Sequence, residues 1–123
     1  MVANAYPMDT AYIFMVKGAW PLWERDLKED AVRILIAACP EGSGYHRLYA
    51  VKRMVGKPRL APWAARPMLY SPVVQPKEAY KVYPDGVFFS SWEDLIGKVV
   101  AKCGDRGVKV AVYACPALQF PNA

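Results

Sequence analysis

Four groups of residues in this 123-residue chain have types and spacing that chemistry can use. Cys39 ends an apolar run just ahead of a glycine-containing turn, close to where a helix should begin. A thiol near a helix N-terminus loses its proton more easily and can act as a nucleophile. A buried, inert cysteine fits the position too, because Cys115-Pro116 closes another apolar run in the same way. Gly42, Ser43 and Gly44 form a candidate anion loop: glycines let the backbone approach a ligand while the next helix presents free N–H groups. Turns of this type also arise for steric reasons alone, and GSG falls short of the full G-x-G-x-x-G of a dinucleotide site. Lys17 interrupts an apolar stretch between Val16 and Gly18. Its ammonium can reach a carboxylate bound above a sheet, or snorkel to solvent. His46 is the only histidine, which excludes sites needing several imidazoles, such as the usual zinc hydrolase patterns or an acid/base histidine pair.

These residues must be positioned by a small number of elements. Val2 to Tyr6 reads as a strand ending at Pro7, with Asp9 or Thr10 as N-cap of a helix through AYIFMVKGAW. The nearly continuous apolar run Ala31 to Ala38 suits a parallel strand buried on both faces. The turn Cys39 to Gly44 and a helix YHRLYAVKRMV follow it, which is the core of a βαβ unit. Lys57 to Pro76 holds five prolines and allows a further strand at Met68 to Val74. Gly86 to Phe89 is strand-like, Ser90 or Ser91 caps a helix SWEDLIGKVVAKCG with Glu93 and Asp94 in a capping-box pattern, and Gly104 is the C-cap. Val108 to Ala114 is the last strand. The alternation predicts one α/β domain over residues 1–123, a small three-layer sandwich with a mostly parallel sheet and a Rossmann-like lobe. Ligands of such sheets gather beyond the carboxyl ends of the strands, which directs attention to the loops at Ala5 to Asp9, Cys39 to His46 and Ser90 to Trp92.

Composition narrows the function classes. With 54% hydrophobic and 22% charged residues the chain is too apolar for disorder, and its apolar runs are strand-length, far short of a membrane span. No basic n-region or small-residue cleavage pattern marks a signal peptide. Cys39, Cys103 and Cys115 are odd in number and widely spaced, as for reduced thiols in a cytoplasm. The net charge of +5 comes from basic residues mixed with acidic ones, without a nucleic-acid motif. Only Arg47 to Arg59 is denser, reading as a solvated face or a docking surface for an anionic partner.

The segments ANAYPMD and ILIAACPEGSG, in that order and with Lys17 eight residues after Asp9, resemble the C-terminal domain of the nickel-pincer-dependent lactate racemase family. The matching residues are Asn4, Ala5, Tyr6, Pro7 and Asp9, then Ile34 to Ala38, Cys39, Glu41, Gly42 and Gly44. The likeness covers the first fifty residues and continues more loosely through Ser91 to Leu95 and the last strand. The resemblance implies a lobe that closes over a 2-hydroxy acid held by an N-terminal domain. That domain would carry the nickel-pincer nucleotide, the metal-binding histidine and the acid/base histidines. It further implies substrate contacts from Lys17, Tyr6 and Asp9, with Lys17 pairing with the substrate carboxylate. Phe14 stands where the lactate-specific pattern has a glutamine, which removes a polar contact and admits 2-hydroxy acids other than lactate.

Neither catalytic residues nor a metal site are expected on this chain itself. Its partners would be an N-terminal racemase-like domain or subunit and a small 2-hydroxy acid, with no nucleic acid and no membrane. Two other readings stand beside this one: a stand-alone α/β module that binds small anions or proteins without catalysis, and a self-contained enzyme using Cys39 as nucleophile.

Overall fold

The computed structural model describes residues 1–7, 9–11, 30–42, 44, 67–82 and 86–115. Five short strands, β1 (Val2–Asn4), β2 (Ile34–Ile36), β3 (Met68–Tyr70), β4 (Val87–Phe89) and β5 (Val112–Tyr113), form one sheet in the order β4-β3-β2-β1-β5. Every pairing is parallel, and the register sets Val2 beside Ile34 and Val112, Ile34 beside Met68, and Met68 beside Val87. Two helices are described, α1 (Pro76–Val82) between β3 and β4 and α2 (Trp92–Cys103) between β4 and β5. The expected α/β fold with its Rossmann-like parallel sheet is therefore the observed one. The helices expected after the first and second strands lie, apart from Ala11, outside the described residues.

Side-chain alternation along the strands sorts the core into two layers, because successive residues point to opposite faces. Leu35 and Leu69 join Ala3, Ala5, Ala37, Cys39 and Val74 on one face, and Ala79 of α1 packs there. Ile34 and Met68 lie on the other face, covered by Leu95 of α2 with Val99 at its margin. The placement of the two helices follows from handedness. The step from β3 to β4 moves outward, whereas that from β4 to β5 returns across the sheet, and right-handed crossovers in opposite directions lie on opposite faces. Leu35, Leu69 and Leu95 are almost wholly enclosed, and each contributes about 1.5–3 kcal/mol through burial.

The α2 termini follow the expected chemistry. Ser91, rather than Ser90, is the N-cap; its Oγ accepts from Asp94 N–H at 3.2 Å and donates to Glu93 Oε2 at 3.0 Å. Gly104, with φ 60°, donates its N–H to Val100 O. The Glu93 carboxyl is held below the usual carboxylate range, first by a hydrogen bond from its own backbone and then by the Ser91 hydroxyl.

Three expectations need correction. β1, β2 and β5 are shorter than the runs read as strands; the last is two residues instead of Val108 to Ala114, because the residues ahead of Val112 run past the amino end of β1. The third strand stops at Tyr70, where Ser71 turns the chain, instead of continuing to Val74. The proline-rich passage ends in a helix, α1, that was not expected. Its signal was Pro76 itself: proline is favoured at the first helical position, where the missing N–H costs nothing. Among the described residues no helix is long and apolar enough to cross a membrane.

Two glycines give opposite expectations. A Cβ on Gly86 would lie 2.9 Å from Leu69 Cδ1 and from Phe88 Cζ, whereas one on Gly97, inside α2, would meet nothing within 4 Å. Gly86→Ala should destabilise by about 1–3 kcal/mol through overpacking, and Gly97→Ala should stabilise by roughly 0.5–1 kcal/mol through helix propensity. Urea unfolding midpoints check both. A neutral Gly86→Ala would contradict the packing described for the β3–β4 face.

Candidate functional site at the carboxyl ends of the strands

The crevice predicted by strand order lies at β1. The chain steps from β1 through β2 and β3 to β4, and then returns to place β5 on the other flank of β1. Open parallel sheets bind ligands outside the carboxyl ends of strands at such a reversal. The loop leaving β1 is held locally by Asn4, whose Oδ1 accepts from Tyr6 N–H at 3.1 Å, and the Tyr6–Pro7 peptide is cis. Tyr6 is exposed and Asp9 half-buried.

This loop is joined to the one after β2. Pairing within the sheet ends with Ala5 N–H on Ile36 O at 2.8 Å; beyond it, Cys39 N–H donates to Asp9 O at 2.8 Å and Glu41 N–H to Thr10 O at 3.0 Å. The two loops therefore form one rim. On the other flank, the Cys115 thiol at the end of β5 lies 3.5 Å from Tyr6 O, to which it donates. Ser71, at the end of β3, completes the support. It is buried, its Oγ accepts from Val73 and Val74 N–H at 3.3 Å each, and it donates to Ala38 O at 3.4 Å. The sequence reading missed Ser71 because it carried the strand on to Val74; a serine followed directly by Pro72 was the available turn signal.

Cys39 sits at the centre of the rim with φ 49°, a left-handed backbone that costs a residue with a Cβ about 1–2 kcal/mol. Hydrogen bonds on both sides hold it there, since its carbonyl accepts from Gly42 N–H at 2.8 Å. The side chain is fully enclosed, and burial is the first cause that pushes its thiol up to about 11. The nearby Asp9 charge adds to the rise and a hydrogen bond with Ser71 opposes it. A nucleophilic thiol needs the reverse, an accessible sulfur and a lowered pKa. Burial and the raised thiol count against Cys39 as the nucleophile of a self-contained enzyme and favour it as a packing residue of the rim.

Of the other predicted site residues, Tyr6, Asp9, Gly42 and Gly44 are brought together on this rim, while Lys17, Ser43 and His46 lie outside the described residues. Gly42 and Gly44 have φ values of 62° and 74°, which the turn requires. Their N–H groups, which an anion loop would aim at a ligand, donate within the turn, Gly42 to Cys39 O and Gly44 to Glu41 O at 3.3 Å. Among the described residues no group of three or more His, Cys, Asp and Glu side chains is placed to hold a metal ion.

Comparison with protein families, with curated proteins and with solved structures finds no match to this chain. The fold is thus defined as a small parallel α/β domain by its own geometry, and the racemase resemblance rests on the two motifs.

The raised thiol has a measurable consequence. Between its ordinary value of 9.0 and about 11, folded Cys39 keeps a proton that the unfolded chain has lost. Stability must fall as pH rises through that window, and be unaffected well below it. The unfolding midpoint of the native chain should therefore drop more steeply from pH 9 to 11 than that of Cys39→Ala. Near neutral pH the folded chain should react with a thiol reagent at Cys39 far more slowly than the urea-unfolded chain does. Parallel pH profiles, or fast labelling of folded Cys39, would contradict the burial.

Proposed function

We propose that this chain is the substrate-closing lobe of a lactate-racemase-like isomerase that acts on a 2-hydroxy acid. The observation that carries the reading is the rim itself. The N-A-Y-P-x-D segment and the C-x-E-G-x-G segment, far apart in sequence, leave adjacent strands and are hydrogen-bonded to each other at the carboxyl end of the sheet, beside the reversal at β1.

The substrate offers a carboxylate and a hydroxyl, and the chain's residues divide accordingly. Lys17 supplies the cation for the carboxylate, a charge-assisted contact stronger than a neutral hydrogen bond. Tyr6 supplies a phenolic O–H at the exposed edge of the rim. Asp9 is held by its own backbone carbonyl to Cys39, and offers an acceptor for the substrate hydroxyl.

The nickel-pincer nucleotide belongs, on this reading, to an N-terminal racemase-like domain or subunit, where it would supply the hydride chemistry. This chain's residues do not fit that group. Its one histidine is His46, and no metal cluster is present among the described residues. No chemical step is assigned to the chain; it binds and orients the acid and shields it from water. The odd number and wide spacing of Cys39, Cys103 and Cys115 favour a cytoplasmic setting for the assembly.

The test is reconstitution. The chain mixed with a cofactor-loaded racemase N-terminal domain should interconvert the enantiomers of a 2-hydroxy acid, followed by chiral chromatography, and neither part should do so alone. Lys17→Ala should raise KM by roughly tenfold or more with a smaller effect on kcat, as expected for lost ground-state binding. No turnover with any 2-hydroxy acid, or unchanged kinetics in Lys17→Ala, would contradict the proposal. Binding of small carboxylates by the chain alone, without a partner and without turnover, would favour the non-catalytic anion-binding module.

A further inference from the structure

The carboxyl end of the sheet carries a second feature, on the face away from α1. Alternation from Val2, Ile34 and Met68 turns Asn4, Ile36, Tyr70 and Phe89 to the α2 side, and the register sets Asn4 beside Ile36, Ile36 beside Tyr70 and Tyr70 beside Phe89. Ile36, Tyr70 and Phe89 pack there against the cluster around Leu95. Helix α2 lies on β3 and β4, and so covers the Tyr70 and Phe89 end of this row. Its first residue, Trp92, is 40% exposed and meets the Tyr70 ring in a T-shaped contact, with centroids 5.4 Å apart and planes at 71°. Ile96, one turn along the same stripe of the helix, is 39% exposed. Trp92 and Tyr70 thus form an aromatic wall, and the half-buried Ile36 and Asn4 lie beside it toward β1. Asn4 commits its Oδ1 to Tyr6 N–H, so the amide N–H groups are what it offers a ligand.

We propose that this aromatic step is the subsite for the side chain of the 2-hydroxy acid, and that the side chain is an aryl group. The inference rests on the reading of the rim as the end of the site that takes the substrate carboxylate. Strand spacing sets the reach: β1, from which the rim starts, lies two spacings from β3, roughly 10 Å. A methyl side chain on an acid held at the rim stops well short of Trp92, whereas an aryl ring on a one-carbon arm extends toward the indole. Offset or edge-to-face contact between two rings is favourable beyond the area it buries. The residues of the step are uncharged, which suits an apolar ring. The exposed Glu93 and Asp94 in the same turn of α2 disfavour a substrate with a second carboxylate.

Phenyllactate and lactate are the probes, titrated against the full chain and against the chain reconstituted with a cofactor-loaded racemase N-terminal domain. The readout is the indole N–H resonance of Trp92, assigned by its loss in Trp92→Phe. Phenyllactate should shift that resonance and bind at least about tenfold more tightly than lactate, which should leave it in place. In the assembly kcat/KM should favour phenyllactate, and Trp92→Ala should reduce that preference at least about tenfold. If Trp92→Ala does not fold, the resonance shift decides. A Trp92 shift without turnover would support the subsite while contradicting the racemase reading. Turnover of lactate with no preference for the aryl acid would overturn the subsite and leave that reading in place. Phenyllactate that binds without moving Trp92, or that binds neither preparation, would also overturn it.

Discussion

The loops that leave β1 and β2 are hydrogen-bonded to each other beyond the last ladder residues, and the candidate site depends on that contact. Two parallel strands leave a sheet on the same side, so their exit loops start as neighbours, about 5 Å apart. Ordinarily they diverge into separate crossovers. Here Cys39 N–H on Asp9 O and Glu41 N–H on Thr10 O keep them together after the strands have ended. Holding Cys39 in that contact requires a left-handed backbone at a residue with a Cβ, and the surroundings supply what it needs. Gly42 closes the turn on its carbonyl, Ser71 ties the preceding residue to the end of β3, and burial locks the thiol away from solvent.

This arrangement leaves the thiol of the motif enclosed. A thiol whose proton is held to about 11 is neutral at physiological pH, and its contribution is volume and a sealed base to the rim. Tyr6 is exposed and Asp9 half-buried, so solvent reaches these side chains and not the thiol. The division is common in α/β domains, in which a rigid sheet end positions loops that carry the contacts.

Much of the architecture was legible from local pattern, for identifiable reasons. The apolar run around Ile34 to Ile36 is buried on both faces and so lacks the alternation of a half-exposed strand. Ser91 and Gly104 delimit α2 because their cap chemistry is local. Strand lengths were not legible, since the extent of β5 depends on how much of β1 lies beside it, a fact about the partner strand. Helix α1 was missed because the proline-rich passage was read only for a strand at Met68 to Val74, although Pro76 sits where proline begins a helix. At the candidate site, the loops Ala5 to Asp9 and Cys39 to His46 could be singled out because they follow strands of a parallel sheet. Ser71 could not, because its role comes from a contact with Ala38, 33 positions earlier in the chain.

The account stands on the two motif loops being one hydrogen-bonded rim, and amide hydrogen exchange of Cys39 and Glu41 reads that directly. Amides that open only with the sheet exchange with free energies close to those of its strands, whereas loop amides exchange freely. The account predicts that Cys39 and Glu41 are protected to nearly the same degree as Ala5 and Ala37, whose N–H groups bond across the sheet. Exchange of both at the rate of an exposed loop, with Ala5 and Ala37 still protected, would contradict it.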